Sequence, residues 1–310
     1  MTDHTLLPAG NAKDYLSLAR FDHATKHIFI LPGIVFALLF RGEQSDSPAL
    51  TVLLGLIVAV CIASANYTIN EWLDRDSDRH HPEKSQRASV RRALNPALVY
   101  LQWAGFLLAG LGCAWTVGLG MFSVALIFAL QGVVYNVPPI RSKDIAILDV
   151  LSESINNPLR LMIGWLMIDP GTLPPASLIL SFWLGGAFLM AAKRYSEYRD
   201  IVANHGKALL VSYRTSFRGY SAHLLSLTCF AYATLSTAFL SIFLVKYRAE
   251  YILLLPLVVL LFVQYYHMAS QPASTAQRPE GADVRARSHN HGQRTWPRIP
   301  GRHAGGHALS

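Results

Sequence analysis

Seven apolar runs, each close to the roughly 20 residues that a helix needs to cross the hydrocarbon core of a bilayer, constrain this chain more than any other feature. They lie at about 49–70, 97–117, 119–135, 145–168, 173–192, 221–245 and 251–268, with a shorter eighth run at 27–40. The eighth is too short to span alone, but the preceding DYLSLARFDHATKHIF has spaced apolar residues that extend a helix from the interface. The expected architecture is therefore all-α, a polytopic membrane bundle of about eight helices. A composition of 52% hydrophobic and only 15% charged residues agrees with it.

Charge placement supports the same count. With the N-terminus inside, the inner loops 71–96, 136–144 and 193–220 carry Arg75, Arg79, Lys84, Arg87, Arg91, Arg92, Arg141, Lys143, Lys193, Arg194, Arg199, Lys207, Arg214 and Arg218, whereas the outer loops carry Arg41, Lys246 and Arg248. Cationic loops stay on the cytoplasmic side, so both termini are expected there, in a bacterial inner membrane. The start MTDHTLLPAGNAKDYL has no basic region leading into an apolar stretch and a small-residue cleavage site, so no secretory signal is expected. The expected organisation is an interfacial or cytoplasmic segment 1–26, a transmembrane domain 27–268 and a disordered basic tail 269–310, rich in Pro, Gly, Arg, His and Ser. The tail's His289, His291, His303 and His307 lack regular metal-ligand spacing. Cys61, Cys113 and Cys229 fall inside apolar runs and read as packing residues. A net charge of +8 in loops and tail suits anionic headgroups or phosphorylated substrates better than duplex DNA, so no nucleic-acid partner is expected.

The stretch NEWLDRDSDRHHPEKSQR, residues 70–87, follows directly on the second apolar run. Asn70, Asp74 and Asp78 recur at i, i+4 and i+8 with Glu71 beside them, so their oxygens line one stripe of a helix that continues out of the membrane. Stacked carboxylates repel one another and demand a cation. Hard oxygen donors of this kind suit Mg²⁺ that also bridges substrate phosphates; a solvated helix end neutralised by Arg75, Arg79 and Lys84 is the plainer reading. A second polar set, Asp149, Glu153, Asn156, Asn157 and Arg160, lies in the otherwise apolar run 145–168. Asp149, Glu153, Asn156 and Arg160 are expected to face the bundle interior together, as functional groups or with Glu153 and Arg160 as a buried pair. A third, AAKRYSEYRD, leaves the next run with Lys193, Arg194, Tyr195 and Glu197. Its cations either bind phosphate or snorkel to the interface.

NEWLDRDSDRHHPEKSQR resembles the first Asp-rich motif of the UbiA-type intramembrane prenyltransferase superfamily, in particular of the branch that makes decaprenylphosphoryl 5-phosphoribose: Asn70, Asp74, Asp78, Arg79, His81, Pro82 and Lys84 match in place, with Glu71 where the branch has Asp. RSKDIAILDVLSESINNPLRLMIG is similar to the branch's second region through Lys143, Asp149 and Arg160, and AAKRYSEYRD followed by KALLVSY to its third through Lys193, Arg194, Tyr195, Glu197, Lys207 and Tyr213. ARFDHATKHIF is a weaker match, with Lys26 as the basic residue before the first span.

The resemblance implies Mg²⁺ on Asn70, Glu71, Asp74 and Asp78; catalytic roles for Asp74, Asp78 and Asp149; and substrate contacts from Lys26, Asn70, Arg79, Lys84, Lys143, Arg160, Lys193, Arg194 and Tyr195. The implied reaction moves a 5-phosphoribosyl group from phosphoribosyl pyrophosphate to a polyprenyl phosphate, supplying a lipid donor of D-arabinofuranose for a cell wall or for arabinosylated nodulation factors. A ninth helix common in the superfamily is missing, with the basic tail in its place. An aromatic-acceptor polyprenyltransferase is an alternative that shares the first motif without needing Lys193 and Arg194; a non-enzymatic membrane carrier or assembly protein is another.

Overall fold

The computed structural model describes residues 7–79 and 84–271, apart from the side chains of 23–26, 205 and 213. The expected tail from 272 onward, with its histidines, lies outside the described residues, as do His81 and Pro82 and the side chains of Lys26 and Tyr213.

Twelve α-helices are formed among the described residues: α1 (Ala12–Leu18), α2 (Ile30–Arg41), α3 (Pro48–Asp78), α4 (Ala88–Arg91), α5 (Pro96–Val117), α6 (Leu119–Asn136), α7 (Leu148–Ser154), α8 (Asn156–Ile168), α9 (Ala176–His205), α10 (Lys207–Tyr213), α11 (Ala222–Tyr247) and α12 (Leu255–Ala269). Six segments are long and apolar enough to cross a membrane: α3, α5, α6, α9, α11 and Ala249–Ala269, which adds a 3-10 turn to α12. The remaining two expected spans are the short helix His27–Arg41 and the pair α7/α8. Large apolar side chains point outward, among them Leu101, Leu108, Phe230, Leu253 and Leu261, as lipid contact requires. The chain is a multi-span membrane protein.

The 145–168 run is not one helix. It breaks at Ile155 between α7 and α8. Pro158 has no N–H to give to Ser154, four residues back, so the α-helical ladder fails there although hydropathy continues unbroken.

Length positions the polar residues. At about 1.5 Å per residue, α3 with its 31 residues and α9 with its 30 each run for about 45 Å, well beyond a hydrocarbon core of about 30 Å. Both overhang at the same end of the bundle, carrying Asn70–Asp78 and Lys193–Asp200 past the lipid. Hydrogen bonds tie further pieces to that end: Gln102 Nε2 on α5 donates to Thr68 Oγ1 and to Tyr15 O, and Lys207 Nζ donates to Tyr220 O. The opposite end is closed by Arg41 Nε on Asp169 Oδ2 at 2.8 Å and by the Gln44 N–H on Ile168 O.

α1 begins with a reciprocal capping box between Asn11 and Asp14 and buries Leu18 against Trp72, Leu94 and Val99. The first 26 residues thus include a helix docked on α3. The main core joins α3, α5, α6 and α8 through Val58, Ile62, Ala114, Met121, Phe128, Ile163 and Met167. A second core joins α9, α11 and α12 through Ala187, Phe188, Ala191, Cys229, Tyr232 and Ala269. α2 lies backbone-to-backbone on α8: a Cβ on Gly33 would stand 2.0 Å from Leu161 O, and one on Gly164 2.1 Å from Ile30 O. Only glycine permits that approach.

Candidate active site

Three polar groups meet at the overhanging end. The first is on α3 facing α6 and the 141–144 turn. Asp74 Oδ1 accepts from Lys143 Nζ at 2.5 Å and Arg141 Nη2 at 2.9 Å; Lys143 also donates to Asn136 Oδ1, as does Asn70 Nδ2. Burial acts to raise the Asp74 pKa, but Lys143 and Arg141 outweigh it and hold the carboxyl below its ordinary range. Burial pushes the Lys143 ammonium down to about 8 against the pull of Asp74.

The second group is on the neighbouring face of α3. Glu71 and Asp78 are seven residues apart, only about 20° around the helix at 3.6 residues per turn, and Arg87 bridges them, with Nε 3.3 Å from Glu71 Oε1 and Nη1 2.8 Å from Asp78 Oδ2. Arg20, in the left-handed backbone region at φ 52, adds Nη1 at 2.9 Å from Glu71 Oε1. Lys84 Nζ stands 3.6 Å from Asp78 Oδ1. Burial nevertheless raises the Glu71 pKa. It also lowers that of Lys84, helped by the like charge of Arg214.

The third group joins α7 to α9. Asp149, wholly buried, accepts from Tyr220 OH at 2.6 Å, Ser216 Oγ at 3.1 Å and Arg194 Nε at 3.2 Å, with Arg214 Nη1 at 3.8 Å. Arg194 also reaches Glu153 Oε2 at 3.3 Å and Glu197 Oε2 at 3.5 Å, and Glu153 accepts from Tyr135 OH. Burial works to raise the Glu197 pKa, but Arg194, Arg214, Lys84 and Lys193 together hold it below the usual carboxylate range. Lys84 of the second group acts on Asp74 of the first and Glu197 of the third, and Arg214 of the third acts on Lys84 and Lys143, so the three sets form one continuous polar basin.

Several residues are placed differently from the sequence expectation. Asp149, Glu153, Asn156 and Arg160 do not face one interior point, because the break at Ile155 divides them: the two acids go to Arg194, and Arg160 lies deeper, over the Phe128 ring. Glu153 and Arg160 are therefore not a pair. Arg194 is buried among three carboxylates rather than standing open to a ligand. Tyr195 stacks on Tyr266 of α12 at 5.5 Å, and Arg79 is exposed beside Asp76. Lys193 is half-buried at the rim. Arg20, Arg87, Asn136, Arg141, Arg214, Ser216 and Tyr220 belong to the basin and were not among the expected site residues. Arg87, Arg141 and Arg214 gave only a charge signal, as cations in the inner loops.

Asn70, Glu71, Asp74 and Asp78 offer hard oxygens on two adjoining faces of α3, within about 100° of one another, a donor set whose chemistry fits Mg²⁺. Among the described residues, no three acidic, His or Cys side chains already converge as a cage. Each carboxylate instead rests on guanidinium or ammonium groups, which supply the positive charge the stripe requires.

The family model for the UbiA prenyltransferase family matches residues 29–280. The chain belongs to this family. Among relatives, the protoheme IX farnesyltransferase of Geobacillus thermodenitrificans is 30% identical over 174 residues, covering 54% of this chain and 55% of the relative. Nodulation protein NoeC of Azorhizobium caulinodans is 26% identical over 179 residues, covering 56% of each chain. The match thus spans little more than half the length of either relative. A solved UbiA homolog from Archaeoglobus fulgidus, bound to GPP and Mg²⁺, superposes with a TM-score of 0.68 at 21% identity, covering 86% of this chain and 94% of that one. The fold is the UbiA membrane fold.

Proposed function

We propose that the chain is an intramembrane transferase that moves the 5-phosphoribosyl group of phosphoribosyl pyrophosphate to a polyprenyl phosphate. The observation that carries this reading is the density of cations in the basin: Arg20, Lys84, Arg87, Arg141, Lys143, Arg194 and Arg214 gather around Glu71, Asp74, Asp78, Asp149, Glu153 and Glu197. A donor carrying a 5-phosphate and a pyrophosphate, together with a lipid phosphate, needs more positive charge than a single prenyl diphosphate with an aromatic acid that carries one carboxylate.

Mg²⁺ on Asn70, Glu71, Asp74 and Asp78 would neutralise the leaving pyrophosphate. Arg141 and Lys143 turn from Asp74 toward donor phosphate, and Lys84 and Arg87 flank the same stripe. The lipid phosphate oxygen forms the new bond to the anomeric carbon as the bond to pyrophosphate breaks. A phosphate monoester is nucleophilic without a strong base. Asp149 works through Arg194 and Tyr220, which it positions. The excess of Lys and Arg in the loops at this end supports a bacterial inner-membrane protein with the basin and both termini on the cytoplasmic side.

A second reading, prenyl transfer from a polyprenyl diphosphate to an aromatic acceptor, is favoured by the farnesyltransferase relative and by the GPP-bound neighbour. Membranes containing the chain, given labelled phosphoribosyl pyrophosphate, polyprenyl phosphate and Mg²⁺, should yield a labelled lipid that is lost with chelator and with Asp74→Asn. A labelled lipid formed instead only from polyprenyl diphosphate and an aromatic acid would replace the first reading by the second.

A further inference from the structure

Below the basin lies a buried cation that has no counter-charge among the described residues. Arg160 on α8 is 4% exposed, and no carboxylate among the described residues comes within ion-pair distance of it. Its Nη1 donates to Asn156 O at 3.1 Å, the Tyr67 hydroxyl lies within electrostatic reach, and the Phe128 ring lies 5.1 Å from the guanidinium carbon. Its Nε has no hydrogen-bond partner among the described residues. Two further buried polar atoms are also left without hydrogen bonds, Asn156 Oδ1 and His27 Nδ1, and His27 lies within electrostatic reach of Arg160. The glycine-mediated contact of α2 with α8 brings these groups together: Gly33 and Gly164 let the two backbones touch one to two turns beyond His27 and Arg160. Buried polar atoms are nearly always paired, and an uncompensated charge at membrane depth is costlier still. An anionic ligand answers that deficit.

We propose that Arg160, with His27, Tyr67 and Asn156, forms a second anion site that takes the acidic oxygen group of the acceptor, a phosphate monoester or a carboxylate. The site rests on the transferase reading above and refines it. Tyr67 precedes Asp74 by seven residues on α3, about 10 Å along the axis. An acceptor anion held there lies on the membrane side of the donor phosphates, as an acceptor entering from lipid must.

The test is binding without donor or metal. The full chain in phosphatidylcholine nanodiscs with chelator is titrated with undecaprenyl phosphate, with neutral undecaprenol, and with 4-hydroxybenzoate, following the thermal unfolding midpoint and direct binding. The wild type should bind undecaprenyl phosphate and not undecaprenol. Arg160→Met should weaken that binding about ten- to a hundredfold, the loss of one charge-assisted contact, and His27→Ala several-fold. Because Arg160→Met also removes an uncompensated buried charge, the ligand-free variant should unfold at the same or a higher temperature, which a merely structural arginine would not show. Should Arg160→Met fail to fold, Arg160→Lys keeps the charge and should retain part of the affinity, with His27→Ala still below wild type. Arg160-dependent binding of 4-hydroxybenzoate alone would uphold the anion site while overturning phosphoribosyl transfer. Binding of neither anion, or equal binding to wild type and variants, would overturn the site and leave the transferase reading to the labelled-donor assay.

Discussion

Asp149 is placed to organise the basin rather than to react in it, and Asp149→Leu tests that placement. The carboxylate is wholly buried and accepts from Tyr220, Ser216 and Arg194. The same Tyr220 hydroxyl accepts the N–H of Ile147 at 2.7 Å, which fixes that residue at φ 72, a conformation a β-branched side chain strongly disfavours. Removing the acid leaves the Arg194 guanidinium short of one partner and frees Tyr220. Breaking one side of a buried ionic network costs about 3–5 kcal/mol, and about 2–4 °C per kcal/mol for a chain of this size gives a fall of about 6–20 °C. Fluorescence-detected unfolding in detergent measures the fall. Asp149→Asn keeps acceptors for Tyr220 and Ser216 and should lose less. The double variant Asp149→Leu/Arg194→Met should lose less than the sum of the two single changes, since less charge is stranded. An unchanged midpoint with abolished turnover would refute the reasoning and make Asp149 a reacting group.

The Lys143 ammonium gives a pH prediction. Its pKa in the fold, about 8, lies below its ordinary 10.5, so its charged form is penalised in the folded state. That penalty, about 3 kcal/mol, is fully present below pH 8 and is relieved as pH rises from 8 to 10.5. Stability should therefore climb over that window, phosphate affinity should fall over it, and Lys143→Met should flatten both profiles. Glu71→Gln removes the anion that Arg20 and Arg87 share, leaving Arg87 on Asp78 and Arg20 beside Asp22, and should cost about 1–3 kcal/mol of stability; Glu71→Asp, one methylene shorter, should cost less, and equal midpoints would make Glu71 a bystander. Gly164→Ala forces a methyl against Ile30 O and should separate α2 from α8. Size-exclusion profiles should then show loss of monodisperse protein, and a wild-type profile would contradict the contact.

The eight apolar segments were legible because lipid leaves a backbone no partner but itself, so run length alone announces a helix. The stripe from Asn70 to Asp78 was legible because helical spacing is local. The break at Ile155 was written in Pro158, but the apolar run continues across it, and hydropathy does not register a missing N–H. What stayed hidden is pairing across the chain. Arg87, Arg141 and Arg214 stood out only as loop charges, and Tyr220 as nothing, because whether a loop arginine meets a carboxylate or water depends on how turns 84–87, 141–144 and 214–220 fold back over α3 and α9. Arg194 shows the converse: its position beside Lys193 suggested a phosphate clamp, yet the step of about 100° between consecutive helix residues directs it inward onto Asp149, Glu153 and Glu197.

One helix, α3, distributes the chemistry. At about 100° per residue, Asn70 and Asp74 differ by about 40° and meet Asn136, Arg141 and Lys143, whereas Asp78 and Glu71 lie a further 40–60° around, roughly, and meet Lys84, Arg87 and Arg20. Tyr67 falls between the two faces in angle and about one turn deeper, where it meets Arg160. Partners within a face share hydrogen bonds, so substitutions there couple; partners on different faces share none directly and act nearly independently. A ligand that draws Lys143 from Asp74 thus changes the charge on one face without dismantling the Arg87 bridge that anchors the other, and the helix that carries both stays fixed by the core beneath.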